Sequence, residues 1–436
     1  MMKKNRTIYF LLALVCLGLQ SCLFQEEDYF DDSSANRATA DVKRCSELLE
    51  AAPNGWVMEY YVGKDYSLGG ITLLCKFDGQ RVTMASQIAG ADETVSSLYS
   101  VKSEQATMLS FDTYNYLVHY FGQPQGSMAD DPNGTLGGDY EFVISDATAD
   151  RIELKGKKYG NRIVMKAFSA DQTWKQYLTR IKKVEDDAFF YEYDLRMDGL
   201  YTGQMLRSNY TFIVTYYDEV GKVHQKTVPF MFTTDGMRFH EPVTIDGQTM
   251  QNFVWKNEEI SFVCTDEGAT GVKMKGIYID GYQSYDYYPG TYLMDFYRLN
   301  GATNQLEVAS QEIQLVKDED GKNYWLKGLE YDILVTYDKP RGGLSILPQF
   351  LKKVQGGYVY LAMWDLMNDY VLRSSAIGLI SYPTTDGIYL VDNGVWMGEI
   401  SGFIFGVYDS QDEEASFMGY TDAVAAIRLI KKTIEE

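Results

Sequence analysis

The chain is predicted to be mainly β: two or three antiparallel β-sandwich or barrel-like domains, with a short N-terminal helix and a C-terminal helix. Three observations predict this. Short runs of aromatic and β-branched residues recur through the chain. Asp-Gly and Lys-Gly turn signals separate many of them. No alternation of strands with helix-length periodic segments appears, so βαβ units and a parallel sheet are not expected.

The first periodic element after the leader is helical. Ala38, Val42, Cys45, Leu48 and Leu49 share one face of a helix starting near Asn36, with Ser34 placed to cap it. Pro53-Asn54-Gly55 ends it. Strands are then expected at 56–62, 71–77, 81–86 and 140–144, with Asp78-Gly79 as a hairpin turn. A second hairpin joins 151–155 to 162–166. A helix at 173–184 would place Trp174, Tyr177, Leu178 and Ile181 on one side.

The second half stays β-rich. Strands are expected at 210–217, 226–232, 252–255, 259–264, 292–297, 312–316, 324–329, 333–337 and 358–364. The terminal helix is read over 421–432, because Val424, Ile427 and Ile430 are spaced by three. These elements divide the chain into a leader (1–21), a tether (22–33) and three domains: 34–185, 186–286 and 287–436. Phe77 to Val82 echoes Phe232 to Phe239, and Leu154-Lys155-Gly156 echoes Leu326-Lys327-Gly328. Either a β unit is duplicated or β-meanders are reusing the same turns.

The leader has the parts of a secretory signal: Lys3, Lys4 and Arg6, then an apolar stretch over 8–19, too short to span a bilayer. Leu19-Gln20-Ser21-Cys22 resembles a bacterial lipobox, although Gln20 stands where a small residue is usual. The resemblance implies cleavage before Cys22 and acylation of it, which tethers the chain to a membrane. Acidic residues at Glu26, Glu27, Asp28, Asp31 and Asp32 follow. They resemble the surface-export signal of Bacteroidota lipoproteins, and their composition also suits a solvated tether. The expected location is the outer membrane, facing outward.

The chain carries 61 acidic and 40 basic residues, a net charge of −21. Losing the leader removes only basic charge. Binding to nucleic acid, which depends on Lys and Arg neutralising phosphates, is not expected. Cys45, Cys75 and Cys264 remain besides Cys16 and Cys22. They read as small buried residues, with a Cys45–Cys75 disulfide as the alternative.

The lipobox, the helix, Ala52-Pro53-Asn54-Gly55-Trp56 before Tyr60-Tyr61, and Leu154-Lys155-Gly156-Lys157-Lys158-Tyr159-Gly160 together resemble a Bacteroidota outer-membrane lipoprotein family of unknown function. Members are encoded beside SusC/SusD-like uptake systems. The resemblance implies an accessory that captures or presents a nutrient, glycan or peptide. It carries over no catalytic residue.

No catalytic, metal-binding or cofactor-binding constellation stands out. His119, His224 and His240 form no His-Glu-x-x-His motif, and there is no nucleophile elbow or P-loop. The acidic turns at Asp130-Asp131-Pro132-Asn133-Gly134 and Asp318-Glu319-Asp320-Gly321-Lys322 read as turns before they read as calcium sites. The strongest candidates for ligand contact are Tyr278, Tyr282, Tyr285, Tyr287 and Tyr288, with Tyr292 following; amphipathic rings among glycines suit sugars or peptides. The opposing reading is that they pack between strands. The function expected is ligand binding without catalysis, with a docking subunit of the importer and a glycan or peptide hydrolase as rivals. Protease added to intact cells is expected to degrade the chain; full protection would rule out an outward-facing location.

Overall fold

A computed structural model describes residues 34–124, 134–218, 220–412 and 414–432. Cys22, the leader and the tether lie outside these residues, as do Asp130 to Asn133. The three sheets are all antiparallel, and each returns to its first strand.

The first sheet is a closed barrel of eight strands taken in chain order. These are β1 (Trp56–Val62), β2 (Gly69–Asp78), β3 (Arg81–Ser86), β4 (Val95–Ser103), β5 (Thr107–Phe111), β6 (Glu141–Ala147), β7 (Arg151–Gly156) and β8 (Arg162–Ala167). Closure is made by β1 on β8, from Trp56↔Ala167 to Glu59↔Val164. The second barrel repeats the topology with β9 (Glu192–Met197), β10 (Leu200–Ser208), β11 (Thr211–Tyr217), β12 (Val223–Phe232), β13 (Gly236–Ile245), β14 (Gln248–Lys256), β15 (Ser261–Cys264) and β16 (Val272–Ile277). Interior positions are filled by side chains such as Met58, Leu73, Phe142, Phe212, Phe230 and Phe262, so both barrels are packed cores.

The third sheet has twelve strands: β17 (Gly290–Asn300), β18 (Gln305–Lys317), β19 (Asn323–Lys327), β20 (Ile333–Asp338), β21 (Gly343–Ile346), β22 (Gln349–Val354), β23 (Gly357–Asp365), β24 (Tyr370–Leu372), β25 (Leu379–Thr384), β26 (Gly387–Asp392), β27 (Gly402–Tyr408) and β28 (Phe417–Lys431). Pairing runs from β17 through β21, then β25, β26 and β28, and β28 pairs back with β17. The upper part of β28 also pairs with β27, which carries β23 and then β22 outward as a wing.

The helix expected over 421–432 is therefore a strand. Ala426 has a left-handed φ of 50°. The register with β17 shifts there: Asp295 faces Arg428 but Tyr297 faces Ala425. This bulge inserts one extra residue, so Val424 and Ile427 point into the same core as Leu429. A spacing of three, which looks helical in sequence, is two plus a bulge. Ile430 falls on the other face.

Each barrel is preceded by a helix. Ser34–Ala51 buries Cys45 and Leu49 against the first barrel. Trp174–Asp187 begins at a capping box made by Thr173 and Gln176. It bridges the two barrels: Leu178 packs on Val57, Leu74 and Phe168 of the first, and Ile181 and Val184 on the second. The same anchor recurs at the start of all three sheets. A fully buried ring donates to a carbonyl just upstream: Trp56 Nε1 to Leu49 O (2.8 Å), Tyr193 OH to Ala188 O (2.8 Å) and Tyr292 OH to Tyr288 O (2.6 Å). The sequence echoes do not mark this repeat. Gly79 lies between strands two and three of its barrel, whereas Gly236 opens strand five of the next.

The motifs that carry the family resemblance have physical reasons. Gly55 has φ 83°, and a Cβ there would meet the Cys75 carbonyl at 2.5 Å. A Cβ on Gly156 would meet Asp139 Oδ2 at 2.1 Å; that carboxylate accepts the backbone N–H groups of Lys158 and Tyr159. Cys45, Cys75 and Cys264 are buried and free, so Cys45 and Cys75 do not form a disulfide.

The barrels meet at Glu59. Its carboxylate bonds Lys166 (2.8 Å) on its own barrel and Arg238 (2.6 Å) on the next, with 14% of its side chain exposed. Burial works to raise its pKa. The charge and hydrogen bond of Arg238, helped by Lys166, outweigh that and hold it below the ordinary glutamate value. Beside it His240 lies between the rings of Tyr61 and Tyr66, at 4.3 and 4.1 Å. Because the folded pKa is depressed, the stability from Glu59 is complete above the unfolded value of about 4.3 and is lost as pH falls through the lower folded value. Glu59→Gln is expected to cost about 3 kcal/mol at neutral pH, by leaving Arg238 unpaired at the interface. Denaturant titrations from pH 7 to pH 3 should show the gap to the native chain closing in acid; a constant gap would remove the ion pair as its cause.

Candidate ligand-binding site

The tyrosines singled out from the sequence are divided by the fold. Tyr288 and Tyr292 are fully buried and present no face to solvent. Tyr288 donates to Gly342 O (2.8 Å), and Tyr285 stacks on Tyr324 at 4.7 Å while donating to Asn323 O. Tyr282 lies under Tyr278 (4.4 Å) and bonds the Tyr337 hydroxyl. Together with Tyr324 and Tyr337 these rings plug one end of the third ring of strands. Tyr278 and Tyr287 keep 44% and 39% exposure. Burial pushes the phenols of Tyr282, Tyr285 and Tyr288 above their ordinary range, so they stay neutral; Tyr285 and Tyr288 donate to carbonyls and Tyr282 accepts from Tyr337.

The three histidines are also occupied locally. His119 stacks on Tyr140 at 4.6 Å and pairs with Asn115. His224 meets Asp218 at 2.9 Å. Asp320 spends its carboxylate on the N–H groups of Lys322 and Asn323, so its loop is a hairpin tip. No group of three or more His, Cys, Asp or Glu is placed to hold a metal among the described residues.

A groove of about 670 Å³ lies where the bridging helix ends. Three of its cations are committed to backbone, Lys339 Nζ to Asp186 O (2.7 Å), Arg207 Nη1 to Ala188 O (2.8 Å) and Lys182 Nζ to Gln87 O (2.7 Å), and Lys183 pairs with Asp187. Lys339 and Arg207 cap the negative end of the bridging helix, and Lys182 ties that helix to the loop after β3.

The larger opening, about 730 Å³, lies on the outer face of the wing. Strand alternation builds it. On β23, Val359, Leu361 and Met363 point into the core, which turns Tyr358 and Tyr360 outward. Register then makes two rows across the wing. Phe350 faces Tyr360, which faces Gly406; Tyr358 faces Tyr408, which faces Phe417. A Cβ on Gly406 would sit 2.9 Å from the Tyr408 ring and 3.2 Å from that of Phe417. Its absence lets both rings lie down.

The result is a run of five rings in contact: Phe350 and Phe417 are exposed, Tyr358 and Tyr360 are half-buried, and Tyr408 is buried at 4% and joins the two rows from beneath. Successive centroids lie 6.4 Å apart (Tyr358–Phe350), then 5.4 Å (Phe350–Tyr360), 5.7 Å (Tyr360–Tyr408) and 5.5 Å (Tyr408–Phe417). The Arg373 guanidinium lies over Tyr360 (4.8 Å) and Tyr408 (4.3 Å). Burial pushes the Tyr408 phenol up, and Arg373 pulls against it. Ser374, Ser375, Gln411 and Asp412 form the polar rim, while the Gln349 amide is spent on the Leu334 and Leu347 backbone. Such a surface can stack on the apolar faces of a ligand while the rim exchanges hydrogen bonds with it. In sequence, only the Tyr-x-Tyr alternation of β23 hinted at this. Phe350, Tyr408 and Phe417 are remote in the chain and are brought together by strand order.

The family of unknown function DUF4302 matches residues 26–257. The chain belongs to this family. A second domain of unknown function, DUF4987, matches residues 265–404. The DUF4302 match takes in both helices, the first barrel and the second barrel as far as β14. The DUF4987 match begins after β15 and contains Phe350, Tyr358 and Tyr360 of the stripe, whereas Tyr408 and Phe417 lie beyond it. No curated protein matches the chain. No helix among the described residues is long and apolar enough to cross a membrane.

Tyr288→Phe separates packing from binding in the tyrosine cluster. Removing a buried hydroxyl that serves the Gly342 carbonyl is expected to lower unfolding stability by about 1 kcal/mol. Tyr278→Ala, at a half-exposed ring, is expected to change it far less. Equal effects in chemical denaturation would contradict the plug.

Proposed function

We propose that this DUF4302-family protein is a surface-exposed, lipid-anchored accessory of an outer-membrane uptake system, and that it binds an extended glycan on the aromatic stripe without catalysis. The stripe carries the reading. Its rings step by distances close to the length of one pyranose unit, and an open wing face accepts a chain rather than enclosing a single sugar. Rings on strands are held rigidly, so little conformational entropy is lost on binding. The rim supplies neutral acceptors and donors together with Arg373 and Asp412, a mixture suited to hydroxyl groups. The anchor at Cys22 and the link to SusC/SusD-like transport rest on the lipobox and on the resemblance at Ala52 to Trp56. Tyr278 and Tyr287 offer a second, smaller aromatic contact at the seam between the second and third sheets.

An extended peptide is the competing ligand, because aromatic grooves also receive polyproline-like chains. Titration calorimetry with soluble neutral polysaccharides and with proline-rich peptides separates the two. Binding of a polysaccharide is expected, weakened about tenfold or more by Tyr360→Ala, with no new reducing ends appearing on long incubation. Peptide binding alone would replace the glycan reading, and release of sugar would restore the hydrolase.

A further inference from the structure

A second surface of the third domain has a different chemistry. Two loops meet beside the wing: one follows β23 (366–369) and the other lies between β26 and β27 (393–401). They present Met397 at 96% exposure, Met367 at 82%, Val395 at 55% and Tyr370 at 54%. Scattered exposed apolar residues need no explanation, but several on two loops joined to one another do.

These loops are rigidly built. Asp365, at the end of β23, is fully buried. Its carboxylate accepts the backbone N–H of Asn368 (3.0 Å), the Asn368 side-chain amide (2.9 Å) and Trp396 Nε1 (3.0 Å). It thereby holds both loops together, and Trp396 packs edge-on against Tyr370 at 5.7 Å. A Cβ on Gly398 would meet Asp365 Oδ2 at 2.2 Å. Asp392 clamps the second loop by accepting the N–H groups of Gly394 and Ile400. Burying a carboxylate is costly unless hydrogen bonds compensate it. Here that arrangement fixes loops whose outermost side chains stay exposed to solvent.

The surrounding charge selects the occupant. The exposed charges of the two loops are Asp369 and Glu399, since Asp365 is buried and Asp392 is spent on loop N–H groups, and neither loop holds a lysine or arginine. An anionic lipid surface is repelled by such a rim. Methionines lack the flat face on which sugars stack, but fill irregular apolar sockets well. Methionine and aromatic residues at the centre, with charge at the edge, is the composition of a protein interface.

We propose that the loops carrying Met367 and Met397 are the docking site for a partner protein that offers an apolar socket rimmed by basic residues. This surface is separate from the aromatic stripe and does not depend on the glycan reading.

The test starts with a photo-crosslinking amino acid at position 397 of the full-length chain in its own cells. One crosslinked protein is expected; that protein is then purified and its binding measured directly. Met367→Ser combined with Met397→Ser should weaken binding by about tenfold or more, and added salt should weaken the native pair. The same double variant should keep the native thermal midpoint. Tyr360→Ala should bind the partner normally, so failure of the glycan reading leaves this result untouched. Crosslinking to lipid, to a second copy of the chain, or to nothing overturns the proposal. So does a purified partner that binds the double variant as tightly as the native chain.

Discussion

Closure of the sheets is the constraint on which the rest of this molecule depends. An open edge leaves a row of backbone N–H and C=O groups unpaired and invites another chain to add to it. The first two sheets remove the problem by pairing the first strand with the last, β1 with β8 and β9 with β16; the third pairs β17 with β28 but keeps an edge at β22 of the wing. A buried ring at each first strand bonds the carbonyl just upstream, which fixes where each circuit begins. Trp56, Tyr193 and Tyr292 do this in turn.

Closure also decides where function can reside. The two complete barrels fill their interiors with large apolar side chains, so neither encloses a ligand cavity of the kind wider barrels hold. Their shared seam is occupied by Glu59, Arg238 and the bridging helix. The third sheet departs from this pattern, because β28 serves two neighbours on one side along its length: β26 below and β27 above. The outer face of the wing that grows from β27 is covered at one end, where Trp364, Ile404 and Ala425 pack under Leu299, Leu366 and Val371, and open at the other. Phe350, Tyr358, Tyr360 and Phe417 gather at the open end, around the buried Tyr408. The buried Asp365 then stiffens the loops at the wing's end.

Much of the architecture is legible in the sequence, for a local reason. Strand alternation, the Thr173 capping box and the Gly55 turn act over a few residues, so β1, β3, β7, β8 and the bridging helix can be read directly. Strands such as β22, β24 and β25 were not apparent: they are short and exposed, and only their neighbours hold them. The C-terminal strand was misread because one left-handed residue, Ala426, converts a period of two into an apparent period of three. The tyrosine run from Tyr278 to Tyr292 looked like a binding surface because sequence shows concentration and not burial. Tyr288 and Tyr292 turned inward to plug the strands.

The sequence by itself determined the β class, the helix before each barrel and the family to which the chain belongs. It did so because hydrophobic period, caps and turn residues act locally, and because the family match spans residues 26–257 of the chain itself. Only the tertiary structure decided which strands close on which, and hence which aromatic residues share a face. The stripe from Tyr358 to Phe417 exists because β22, β23, β27 and β28 are neighbours in register. Pairing between distant strands is set by the global balance of burial and backbone hydrogen bonding, and no local pattern encodes it.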